Sequence, residues 1–333
     1  MTTRNPVTSF EELWQTFRDR YPFFELRGVD WLKQYDAFRP KVTQETSDAE
    51  LFEILCQMLD PLNDGHVQLE GSVDGRKRFF TAEKKPKFYQ ELTGQEIKEL
   101  FKTTEQTLVA HGFAQPATTE AWMLRYCRSP QFGYLRILEL EGIKKQRLTA
   151  ALNKIARVFI RLDGFIIDIR DCPGGDDSVA IAIINRFCDQ QRVAFHRRTK
   201  IGPGAEDLAP LKTWHLEPEG DAQFTGPIVL LTCDAVFSGG ESFALAIREL
   251  PHVTIVGDHT NGIFSYTFDK KLPNGWKYCL SYQVYYSADM VCYEGRGVPA
   301  DIELCNCKAD IELGVDPLIV KALEVLKGNR ATM

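Results

Sequence analysis

Apolar positions recur at helical spacing through the first sixty residues and give way to apolar blocks of strand type after residue 130. Leu13, Trp14, Phe17 and Tyr21 follow Ser9 and Glu12, a pair that reads as a capping box at a helix start. Ser47 with Glu50 repeats the signal ahead of Leu51, Ile54, Leu55, Met58 and Leu59. Pro61 and the Asn63-Asp64-Gly65 run end that helix in a turn. His66 comes directly after the turn, and Val67 and Leu69 then alternate with Gln68 and Glu70 as in a short strand.

From residue 132 the pattern is strand, then helix, several times over. Gly133–Ile137, Phe165–Ile169, Ile228–Leu231 and Val253–Val256 read as strands, the middle ones apolar on both faces. Helical patterns over 144–159, 177–188 and 239–250 separate them. Such alternation predicts right-handed crossovers and a mostly parallel sheet. Aromatic, alternating segments over 263–290 suggest antiparallel additions, and 199–224, rich in Gly, Pro and acid, reads as a surface loop or lid. The predicted organisation is an N-terminal helical region over 1–75, a connecting or covering segment over 76–130 with weak helical stretches near 94–103 and 118–127, and an α/β domain over 131–330.

Bulk composition narrows the class. Hydrophobic residues make up 44% and charged residues 26% of 333, the balance of a globular chain. Forty Lys and Arg against 46 Asp and Glu leave a net charge of -6, which offers no basic footprint for nucleic acid or an anionic membrane. No run of about 18 apolar residues predicts a spanning helix. The first residues lack the apolar core of a signal peptide, so the expectation is a cytoplasmic protein, or an exported one whose leader is not part of this sequence. Nine Cys with no CxxC read as reduced, mostly buried residues rather than a metal or disulfide framework, and no metal or organic cofactor is expected.

Two loops carry candidate chemistry. Asp168-x-Arg170-x-x-Pro173-Gly174-Gly175 follows a strand and opens a helix, where outward N–H groups bind oxyanions. It matches neither a Walker A loop nor GxGxxG, and a plain strand-to-helix turn fits it as well. Ser238-Gly239-Gly240-Glu241 supports two readings. Ser-x-x-Glu before a helix is a capping box. The same serine, at the carboxyl edge of a central strand, is also placed as a nucleophile whose neighbouring N–H groups face a developing oxyanion. A serine needs a base. Of six His, His66 stands apart because it follows a tight turn at a strand edge and belongs to no amphipathic pattern. Glu294 lies in a Gly-rich turn, Tyr293 to Pro299, that could present an acid.

Four segments together resemble the tail-specific, or C-terminal-processing, serine peptidases, and among them the branch that includes the tricorn core protease. They are LNDGHVQL at 62–69, FIIDIRDCPGG at 165–175, FSGGE at 237–241 and EGRGVPAD at 294–301. The resemblance implies a crotonase/ClpP-like core of βα units behind the helical region. It also implies a serine peptidase with Ser238 as nucleophile, His66 as general base and Glu294 in support. The oxyanion hole would draw on Gly239 and on Gly174 or Gly175. One branch of the family uses a lysine where this chain has Ile263, which cannot take a proton, so the His/Ser/Glu branch is the match. That branch places a serine beside the histidine, where Gly65 stands here. Residues 71–130 show no pattern of a PDZ domain. The implied partner is an extended peptide or unfolded protein added as a strand, and a homo-oligomer is compatible. The alternatives are a non-catalytic ligand- or peptide-binding module on the same fold and a crotonase-type acyl-CoA enzyme.

Overall fold

Two local signals decide how the chain begins. Asn5 accepts a hydrogen bond from the Thr8 N–H at 3.0 Å, and Pro6 takes the first helical position, so the helix Pro6–Arg20 starts earlier than Ser9. Ser9, expected as a cap, is instead buried inside that helix. The expected capping box of Ser47 and Glu50 does open the helix Asp48–Leu59, with the Glu50 N–H to Ser47 Oγ at 3.3 Å and the Ser47 N–H to Glu50 Oε2 at 2.8 Å. The computed structural model describes residues 5–83, 85–119 and 121–330. It divides into two units, one of Met1–Lys84, Arg197–Lys212 and Ile263–Tyr285, the other of Lys85–His196, Thr213–Gly262 and Tyr286–Met333.

The first unit packs helices Pro6–Arg20, Trp31–Phe38 and Asp48–Leu59 on an antiparallel sheet ordered Thr267–Lys271, Lys277–Ser281, Gln68–Val73, Arg76–Thr81. Leu69, Tyr278 and Leu280 point into its core with Phe10, Leu13, Phe17 and Leu55. Gln68, Glu70 and Lys277 alternate outward, as the period of two requires. Gln68 stands opposite Cys279, so the strand end at Ser281 runs beside the turn that carries His66.

The second unit is built on a seven-stranded sheet. Phe132–Ile137, Gly164–Asp168, Ile228–Thr232, Val253–Gly257 and Ile302–Glu303 lie side by side and parallel, each next to its predecessor in the chain. Right-handed crossovers taken always in one direction leave their helices, Lys145–Phe159, Asp177–Ile184 and Gly239–Ile247, on one face. The other face is covered by helices Gly94–Ala110 and Pro317–Arg330. There Leu108, Ile319 and Leu323 pack with Tyr134, Ile166, Val229 and Val256. Leu124–Arg128 and Ala117–Thr118 extend the sheet antiparallel. Residues 118–127, expected to be weakly helical, hold no helix at their described positions, and Thr118 and 124–127 are strand. Pairing with Phe132–Ile137 across a short turn overrides a local propensity too weak to decide the matter, and position 120 lies outside the described residues. The other weak stretch is the longer helix Gly94–Ala110, capped by Thr93 and Glu96. The expected loop 199–224 contains the strand Lys212–Leu216. Among the described residues no helix is long and apolar enough to cross a membrane.

Candidate active site

Parallel neighbours deliver their following loops side by side. Gly164–Asp168 and Ile228–Thr232 are adjacent in the sheet, so the glycine loop after the first and the Ser238 turn after the second meet at one carboxyl edge. Their contact is backbone to backbone. The Phe237 N–H donates to the Cys172 carbonyl at 3.1 Å. A Cβ on Gly174 would lie 2.5 Å from the Phe237 carbonyl oxygen and 2.9 Å from Ser238 Cβ; on Gly239 it would lie 2.5 Å from the Gly175 oxygen and 2.7 Å from its nitrogen. Only glycine fits at either position, and Gly174 also holds a φ of +95°.

Ser238 sits in that contact with φ +55° and ψ −119°, and its hydroxyl makes no capping hydrogen bond. This settles one of the two sequence readings: Ser238 and Glu241 do not form a capping box. The Glu241 carboxylate is fully buried and turned elsewhere. It accepts from Thr260 Oγ1 at 2.5 Å and, through its other oxygen, from the Gly262 N–H. Thr260 Oγ1 in turn accepts from the Val298 N–H at 2.7 Å, and the Gly295 N–H donates to the Gly262 carbonyl at 2.7 Å. The turn that holds Glu294 is thus tied to the first turn of the Ser238 helix through Glu241. Glu294 is itself buried. Local spacing could not reveal the roles of Glu241 and Thr260, because their partners lie 19 to 38 residues away.

Beneath the glycine loop lies a buried ion network. Arg170 binds Asp168 Oδ2 at 2.6 Å and Asp316 Oδ2 at 2.9 Å, and its Nη1 donates to Asn306 Oδ1 at 2.7 Å. Tyr134 donates to Asp168 at 2.9 Å. Burial alone would raise the Asp168 carboxyl, but the Arg170 charge and hydrogen bonds outweigh it and hold the group below its ordinary range. Cys172, on the loop, is pushed up to about 12 by burial, with the Gly174 N–H acting against that rise.

His66 belongs to the other unit. Asn63, with φ +45°, turns the chain, and Asp64 Oδ1 accepts the His66 N–H at 2.9 Å. The Val67 N–H donates to the Asp64 carbonyl at 2.9 Å. The imidazole is buried, and its Nδ1 lies 3.4 Å from Ser281 Oγ. Burial lowers its pKa below the ordinary histidine value, against the charges of Asp64 and Asp269. Ser281 was invisible to sequence reasoning; the strand pairing that brings it to His66 spans 215 residues. Among the described residues no group of three or more His, Cys, Asp or Glu is arranged to hold a metal ion.

The sequence pattern described as Peptidase family S41 matches residues 131–304, and that of the Tricorn protease C1 domain matches residues 5–60. The chain is 23% identical over 171 residues to the carboxy-terminal processing protease CtpA of Bacillus subtilis (strain 168). That match takes in 51% of this chain and 34% of the relative, so the chain spans about a third of its length. A solved chain from Parabacteroides merdae ATCC 43184 is 26% identical, with a TM-score of 0.81 and 97% of both chains covered. The crystal structure of the tricorn protease shares the fold at 14% identity and a TM-score of 0.55, over 98% of this chain and 37% of the other.

Proposed function

The chain belongs to peptidase family S41, and from that premise we propose that it is a serine peptidase cleaving extended or unfolded polypeptide through an acyl-enzyme on Ser238. Ser238 Oγ attacks the scissile carbonyl carbon while His66 takes its proton; the carbonyl electron pair moves onto oxygen. Collapse of that intermediate expels the leaving amine, which receives the proton from His66. Water then repeats the sequence to release the acyl group. Glu294 supports the basic side of the site. The Gly239 N–H binds the oxyanion together with one from Gly174 or Gly175. Substrate enters as an added strand. The order of parallel strands, each beside its predecessor, supports a crotonase/ClpP-like core.

The observation that carries this reading is the backbone of Ser238. A left-handed φ at a non-glycine residue costs on the order of 1–3 kcal/mol and persists only where the surroundings impose it. Here it starts a helix with a hydroxyl that caps nothing, set against a glycine loop in backbone contact. That geometry supports reading Ser238 as a nucleophile on a strained strand-to-helix turn. A fluorophosphonate probe should add once to the wild-type chain, at Ser238, and not at all to Ser238→Ala, which should lose at least ~10,000-fold in peptide hydrolysis. An unlabelled wild-type Ser238, with no difference between the two chains in digesting casein, would make the fold a binding module instead.

A further inference from the structure

A general base of the histidine kind must present an unprotonated nitrogen to its serine, which fixes the other ring nitrogen as the N–H. In solution a neutral imidazole exchanges between both tautomers, and a wrongly placed proton removes the base without moving the ring. The partner of the second nitrogen is therefore part of the machinery. In this chain the residue at that nitrogen is Ser281, the last residue of the strand Lys277–Ser281. Ser281 is fully buried, and its neighbours in the strand fix its position: Leu280 points into the core, Cys279 stands opposite Gln68, and Thr267 stands opposite Ser281 itself. His66 is held from its own side by the Asp64 carboxylate on its backbone N–H. The carboxylates of Asp64 and Asp269 are the charged groups that act on the ring. The Ser281 hydroxyl stands at Nδ1 at 3.4 Å, a long contact of the kind that catalytic hydrogen bonds show before substrate tightens them.

We propose that Ser281 is the positioning residue of the base: its Oγ accepts the hydrogen of His66 Nδ1, which leaves Nε2 unprotonated for Ser238. This rests on the peptidase reading only for what Nε2 then does; the tautomer itself is a property of the first unit. A neutral hydroxyl orients the ring but brings no negative charge to the imidazolium that forms during reaction. Ser281 therefore sets the population of competent base, a rate effect, without touching substrate.

The test is carried out on the full chain with 15N-labelled histidine. Two-bond nitrogen–proton spectra assign the proton of neutral His66, identified by its loss in His66→Gln. The wild type should show Nδ1 protonated and Nε2 bare. Ser281→Ala should shift His66 toward the Nε2–H form and lower kcat about tenfold with KM unchanged, the size that one neutral hydrogen bond supports; Ser281→Thr, which keeps the hydroxyl, should restore both. A wild-type His66 with its proton on Nε2 overturns the proposal without any variant, as does a Ser281→Ala chain with unchanged tautomer and kcat. Failure of the peptidase reading is separate, because it appears as an unlabelled Ser238 while the nitrogen spectra stand.

Discussion

Ser238 and Glu241 are three positions apart in the chain and serve different ends. The Ser-x-x-Glu spacing is identical for a capped helix and for a nucleophile turn, so the residues alone left both open. What separates them is the φ of +55° at Ser238 and the destination of the Glu241 carboxylate on Thr260 and Gly262. Neither is encoded by local spacing, whereas the turn and the strand edge that frame His66 were legible. Its chemistry gives a signed prediction. In the proposed mechanism the neutral imidazole is the base, so activity should be lost as pH falls through its pKa. Burial lowers that pKa, so the acid limb of kcat/KM should have its midpoint below about 6.5, the ordinary histidine value. A pH profile with an acid midpoint above 6.5 would take the base role away from His66.

At the scale of elements, the parallel strands were plain in the sequence because burial on both faces writes unbroken apolar runs such as Phe165–Ile167 and Ile228–Leu231. The sheet extension at Leu124–Arg128 was not, since its strand character comes from a neighbour rather than from its own residues. The same strand adjacency makes the two loops of the candidate site interdependent. Gly239→Ala would drive a methyl into the Gly175 backbone and displace a donor of the proposed oxyanion hole. It should lower kcat by roughly 100- to 1000-fold, the usual loss for one such donor, while KM stays close to wild type. Steady-state kinetics on the variant decide this, and a wild-type kcat would show that the loop contact is not needed for the chemistry.

Over the described residues, Arg170 with Asp168 and Asp316 forms an ion network whose side chains are all fully buried. The sequence placed Asp168 and Arg170 in one strand-to-helix loop; that they pair, and that Asp316, 146 residues beyond Arg170, joins them, could be found only in three dimensions. Removing one partner from a buried network costs far more than the network adds, because the remaining charges have no solvent to turn to. Arg170→Met should therefore lower the unfolding free energy by about 3–5 kcal/mol, read as a reduced urea midpoint. A midpoint within experimental error of wild type would mean that the two carboxylates find other company.

Asp316 also stands at the head of the helix Pro317–Arg330, where its Oδ1 accepts the Leu318 N–H at 3.0 Å. In order of synthesis it comes after Ser238, His66 and Glu294. A nascent chain thus carries the serine, the histidine and both loops well before Arg170 meets its second carboxylate. The third member of the network beneath the glycine loop is therefore supplied by a stretch synthesised after the residues of the candidate site.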